Sequence, residues 1–134
     1  MTAKDGGRFD WRSFLVLAEG LAAHSTDENA LRTAISRAYY AVFTVARNRL
    51  RDHECWHPGR DPHTRVWATY RNSESLICQR IGDRGFNLRD RRHRADYDDD
   101  IGPHVARQAS AAIRIAREIL TLLDGLAEDD GCCR

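Results

Sequence analysis

Within the stretch RDRRHRADYDDD, Arg89 to Asp100, four arginines, one histidine, one tyrosine and five aspartates occupy eleven of twelve positions. Guanidinium forks match phosphate oxygens, imidazole changes charge near neutral pH, and a phenol can donate to an oxyanion. On a helix, Arg89, Arg92, His93, Asp96 and Tyr97 stand at offsets 0, 3, 4, 7 and 8 and so share one side. Such a side can bind and polarise a phosphodiester. The same spacing also suits an ordinary surface helix, with Arg92 and Asp96 as a structural ion pair one turn apart, and pattern alone favours that plainer reading. Arg91, Arg94 and the run Asp98 to Asp100 read as a solvated face and a helix-ending turn.

A second group lies upstream, in RTAISRAYYAVFTVARNRL. Thr33, Arg37, Tyr40, Thr44, Arg47 and Arg51 recur there at three- and four-residue steps, a polar stripe that implies solvent or a facing partner. Arg37 and Tyr40, one turn apart, can present a cation and a phenol together; the plainer reading is that Tyr39 and Tyr40 only add aromatic packing while the arginines are solvated, and for Arg47, Arg49 and Arg51 that reading is favoured. Between the two groups, HECWHPGRDPH brings His53, Cys55, His57 and His63 within eleven residues. Their spacing matches no common zinc module, so loop residues around Pro58-Gly59 are the simpler assignment and neither a metal nor a cofactor is expected.

These groups must be positioned by helices. After Asp10, Trp11, Phe14, Leu15, Ala18, Leu21 and Ala22 predict a first helix over about 11–24. Ser25 to Glu28 has capping-box form and opens a second helix over about 26–52, with Leu31, Ala34, Ile35, Ala38, Val42, Val45 and Ala46 as its apolar stripe. Asp61-Pro62 enters a third helix bearing Val66, Trp67, Tyr70, Ile77 and Ile81, with Gly82 as its stop. Gly85 then sets off a short helix holding the opening stretch. Past Gly102-Pro103, Val105, Ala109, Ala112, Ile113, Ala116, Ile119, Leu120 and Leu123 form the most regular pattern of all. Four long helices and a short one, joined by short connections, predict an all-α, up-and-down antiparallel bundle.

The 134 residues suit a single domain, spanning 1–134 with a core over about 10–127, a frayed N-terminus and a solvated acidic tail, GLAEDDGCCR. At 42% apolar and 31% charged, with no apolar run near the roughly 20 residues of a membrane span, the chain reads as soluble, with no membrane partner, and cytoplasmic. Cys55, Cys78, Cys132 and Cys133 contain no C-x-x-C pair, and two of them adjoin in the polar tail, which is not the look of a disulfide framework. Net charge is only +1, yet residues 60–94 hold nine arginines against four acids and residues 95–134 four against nine. Twenty of the 21 basic residues are arginine, which suits bidentate phosphate contact, but a GC-rich genome would give the same bias and composition alone does not separate the two.

SRAYYAVF in the second helix, His63 at the head of the third, and LRDRRHRADYD ahead of the last resemble the HEPN domain family, in particular its small stand-alone members. The resemblance covers about Trp11 to Leu126. It implies a helical bundle that forms a homodimer, with a cleft between protomers. It also implies an RNA-directed role: many HEPN proteins are metal-independent endoribonucleases, and many are toxins or defence effectors encoded beside a minimal nucleotidyltransferase that serves as antitoxin. The family's motif is an Arg, a polar residue, and a His after four to six spacers. Arg92-His93 reproduces its start, and Tyr97 stands where the histidine is expected; from Arg89-Asp90, His93 follows after three spacers.

Two functions follow. In the first, Arg92, His93 and Tyr97 are catalytic and Arg37, Tyr40, Arg89 and His63 bind RNA, whose 2′-oxygen attacks a phosphate held by arginine. In the second the same cleft only binds, as an RNA-binding module or as the non-catalytic partner of a nucleotidyltransferase. Asp96 is structural in both.

Overall fold

A computed structural model describes residues 8–128 and 130–133, and the expected loose N-terminus falls largely outside them. Five helices follow one another: α1 (Ser13–His24), α2 (Glu28–Asp52), α3 (Pro62–Arg71), α4 (Leu76–Tyr97) and α5 (Val105–Asp124). No strand occurs among the described residues. Nor is any of their helices long and apolar enough to cross a membrane.

Helix α2 is the axis of the fold, touching each of the other four. That explains a departure from expectation. The polar stripe on α2 does not face water throughout: Thr44 is buried, and its hydroxyl donates back to the carbonyls of Tyr40 and Ala41 at 2.5 and 3.2 Å. A helix packed on several sides buries polar positions too, and each must then find a partner. The helix begins at Asp27, whose side chain accepts from the Asn29 amide, while Ser25 Oγ accepts from the Asp27 amide one step earlier. On α5 the apolar stripe read from sequence is the buried face, from Val105 to Leu123.

The larger correction concerns the glycines. Gly82 does not stop a helix and Gly85 does not separate two; α4 runs through both. The break comes earlier, at Asn72 to Ser75, where Ser75 caps α4 by accepting from the Cys78 amide. Both glycines are places of close approach. A Cβ at Gly82 would meet the Arg71 backbone nitrogen at 2.4 Å, and one at Gly85 would enter the Trp67 ring at 2.1 Å. Their missing side chains let α3 lie down on α4, a gain that offsets the roughly 1 kcal/mol glycine costs inside a helix.

The cysteines and the acidic tail also depart from expectation. Cys55 pairs with Cys133 and Cys78 with Cys132, at Cα separations of 6.0 and 5.5 Å. Beyond α5 the chain turns back, so neighbouring residues 132 and 133 reach α4 and the loop after α2 respectively, a geometry that one-dimensional spacing hides. Arg49 donates to the carbonyls of Ala127 and Asp130, His53 meets the Glu128 carbonyl at 2.7 Å, and Leu126 and Cys132 are buried. The described residues of the tail are therefore docked rather than frayed.

Candidate functional site

The middle of α2 places Ser36, Arg37, Tyr39 and Tyr40 against the last three turns of α4. Helix α3 reaches the same place through its first turn. There Asp61 adopts a left-handed conformation, φ 51°, which aspartate tolerates better than most residues. Its side chain accepts from the Thr64 amide at 3.3 Å, and Pro62 occupies the first turn. This entry brings His63 onto the aromatic side chains of α2.

Arg92 is the centre. Only 7% exposed, it lies with its guanidinium carbon 5.1 Å from the Tyr39 ring centre and 5.6 Å from that of Tyr40. Its Nη1 stands 3.6 Å from Asp96 Oδ2, and Ser36 Oγ donates to the same carboxylate oxygen at 3.3 Å. Arg92 Nε is buried without a hydrogen-bond partner, and so is Arg89 Nε. A guanidinium has five N–H donors and no acceptor, so one that is enclosed yet short of acceptors is a group set up for an anion.

His63 lies on the same rings. Its Nδ1 is 2.7 Å from the Tyr39 hydroxyl, to which Trp67 Nε1 donates at 3.0 Å. Phe43 stacks on the imidazole at 4.3 Å, and the Tyr40 ring meets it edge-on at 5.8 Å. Burial lowers the imidazole's affinity for a second proton, Arg92 and Arg89 lower it further, and Asp61 opposes them. Burial drives the Tyr39 phenol far above its ordinary range, so it stays protonated.

Arg37 lines the adjoining cleft of about 400 Å³ together with Ser36, Asp96, Arg32 and Ala95. Its guanidinium sits over Phe14 at 4.8 Å and Tyr40 at 5.3 Å, which leaves it held but without a carboxylate. Arg32 differs. It bonds Glu28 and donates to the carbonyls of Ala95, Asp98 and Asp99, closing the end of α4.

Arg37, Tyr40, His63, Arg89, Arg92 and Asp96 thus gather around one place. His93 and Tyr97 are set apart from it: both are exposed, and their rings pair with each other at 4.9 Å. The five positions read as one side span about 140° of helix circumference, and the core claims only the edge that bears Arg89, Arg92 and Asp96. Tyr39, which joins His63 to Trp67 from a fully buried position, was passed over as packing. Its signal in the sequence was an aromatic residue with a polar tip on the apolar stripe, where a buried hydroxyl demands partners.

Among the described residues, no cluster of three or more His, Cys, Asp or Glu side chains is arranged to hold a metal ion. His53 and Cys55 are engaged by the tail, and His63 by Tyr39. No known family model, curated protein or solved structure matches the chain.

Proposed function

We propose that this protein is a HEPN-like, RNA-directed protein that holds a phosphodiester at Arg92, and that it cleaves RNA there. The observation behind the reading is the buried Arg92 guanidinium, with Nε unpartnered and a single carboxylate at 3.6 Å; half-buried Arg89, paired with Asp90 at 3.5 Å, also has an unpartnered Nε. Bound phosphate would add an acceptor at the guanidinium beside Asp96, and Arg37 lines the adjoining cleft. RNA is favoured over DNA because a ribose 2′-oxygen can attack the held phosphorus. In that step the 2′-O–P bond forms and the P–O5′ bond breaks. The 2′-hydroxyl proton leaves to solvent and the 5′-oxygen gains one, giving a cyclic phosphate and a 5′-hydroxyl.

The up-and-down bundle, the homodimer whose second copy completes the cleft, the nucleotidyltransferase antitoxin and a cytoplasmic site of action belong to the same proposal. Action in the cytoplasm would require the four cysteines to be held as thiols, since disulfides persist in oxidising compartments. A second reading, a non-catalytic RNA- or partner-binding module, is favoured by the position of His93 and Tyr97, which stand away from Arg92 on exposed surface.

The test is incubation of the purified chain with mixed single-stranded RNA in chelator, beside Arg92→Ala and Tyr97→Phe. Cleavage to cyclic-phosphate ends, lost in Arg92→Ala, is the expected result. Cleavage indifferent to Arg92→Ala overturns the site. Retained RNA binding without cleavage under any condition assigns the binding module.

A further inference from the structure

We propose that His63 meets the phosphodiester beside Arg92 as a neutral hydrogen-bond donor, its proton fixed on Nε2 and offered to an oxygen of bound RNA. The inference rests on the RNA reading above and assigns within it a role the family-like motif leaves vacant.

The argument is one of proton direction. The Trp67 indole can only donate, so its 3.0 Å bond uses the Tyr39 oxygen as acceptor. Tyr39 is fully buried, and its own phenolic proton has no water to go to; the acceptor in reach is His63 Nδ1 at 2.7 Å. Nδ1 is therefore bare and occupied, and a neutral imidazole must carry its proton on Nε2. Trp67, Tyr39 and His63 form a relay of donors that runs out of the core and ends at the half-buried imidazole.

The surroundings keep that state. An imidazolium would need a proton on Nδ1, turning the Tyr39 hydroxyl against a donor and stranding its hydrogen. From α4, Arg92 and Arg89 oppose a further positive charge; from α3, Asp61 favours one; from α2, Tyr39 and Tyr40 contribute rings without charge. Phe43, stacked on the imidazole, fixes its plane. An Nε2–H of this kind cannot take the 2′-hydroxyl proton. It can bond a phosphate oxygen or the departing 5′-oxygen, adding a directed donor where the arginines add charge. His93 and Tyr97 share no such platform with Arg92.

The experiment reads the tautomer directly, by two-bond proton–nitrogen correlation spectra of the isotope-labelled full chain, alone and with a single-stranded mixed-sequence RNA oligonucleotide. At neutral pH His63 is expected as the Nε2–H form, and its Nε2–H signal is expected to shift and gain protection from exchange when RNA binds. Tyr39→Phe removes the donor to Nδ1 and is expected to mix the two tautomers. His63→Ala should weaken RNA binding by about tenfold, and His63→Gln, which keeps a neutral donor, should restore part of it. An Nδ1–H form or an imidazolium at neutral pH overturns the proposal. So does an Nε2 signal unmoved by RNA whose binding still depends on Arg92, and this leaves the RNA reading intact. Binding that ignores Arg92→Met, or no binding at all, removes the RNA reading and the role of His63 with it.

Discussion

The C-terminal end of α2 and its middle treat charge in opposite ways. Near its C-terminus, Arg49 and His53 are spent on tail carbonyls, Arg8 pairs with Asp52, Arg12 pairs with Asp124 through two bonds, and two disulfides tie the whole together. The larger cavity of the molecule as described, about 670 Å³, lies there, lined by those same paired groups. Around the middle of the helix, near a cleft of about 400 Å³ lined by Arg37 and Asp96, Arg92 is buried with its Nε unpartnered, and half-buried Arg89 has an unpartnered Nε as well. What separates the two is how far the polar groups are already partnered: the charges at the larger cavity are bonded to one another or to carbonyls, whereas around the smaller cleft Arg92 and Arg89 each keep a buried Nε without a partner.

The contrast can be broken at several points. Replacing all four cysteines with serine should cost the most, roughly 2–4 kcal/mol of stability by urea unfolding, because both bridges close long loops. RNA affinity should be unaffected; a parallel loss would join the regions that the comparison separates. Gly85→Ala is next, at about 1–3 kcal/mol, since its Cβ has no room beside Trp67. Thermal unfolding at two scan rates checks it.

Arg92→Met should change stability by no more than about 1 kcal/mol, because an enclosed ion with one long-range partner gains little over an apolar side chain. RNA binding in the same variant should fall at least tenfold. A destabilisation of about 3–5 kcal/mol would make Arg92 a structural ion-pair member like those at the C-terminal end.

His63 gives a pH signature. Its folded value is depressed, so below about pH 6.5 the unfolded chain takes a proton that the folded chain refuses. Stability should be full above that pH and decline as pH falls toward the folded value. Urea midpoints of the native chain and His63→Gln should converge on acidification. Smallest of all, Arg12→Ala should lose at most about 1 kcal/mol, its pair with Asp124 being exposed.

Much of the helix pattern was legible because apolar periodicity reports burial directly, and α2 and α5 lie within two residues of where it puts them. Gly82 and Gly85 misled because a glycine that ends a helix and one that admits a neighbour look alike until the neighbour is known. The same limit applied to the site. Arg92 with Asp96 could be read from spacing, but which edge of the charged stripe turns inward is decided by α2 and α3. Tyr39 and His63 are separated by 24 positions, and nothing in either segment announces their hydrogen bond.

The adjacent cysteines carry one more consequence. A bridge from residue 55 to residue 133 turns α3, α4 and α5 into a covalent ring, with residue 132 fastened across it to residue 78. Any single backbone cut between 55 and 133 leaves one molecule on a non-reducing gel, whereas a cut at the His24–Ser25 junction frees α1. Protease maps with and without reductant would therefore draw the ring's outline, and α1 and α2 would be found outside it.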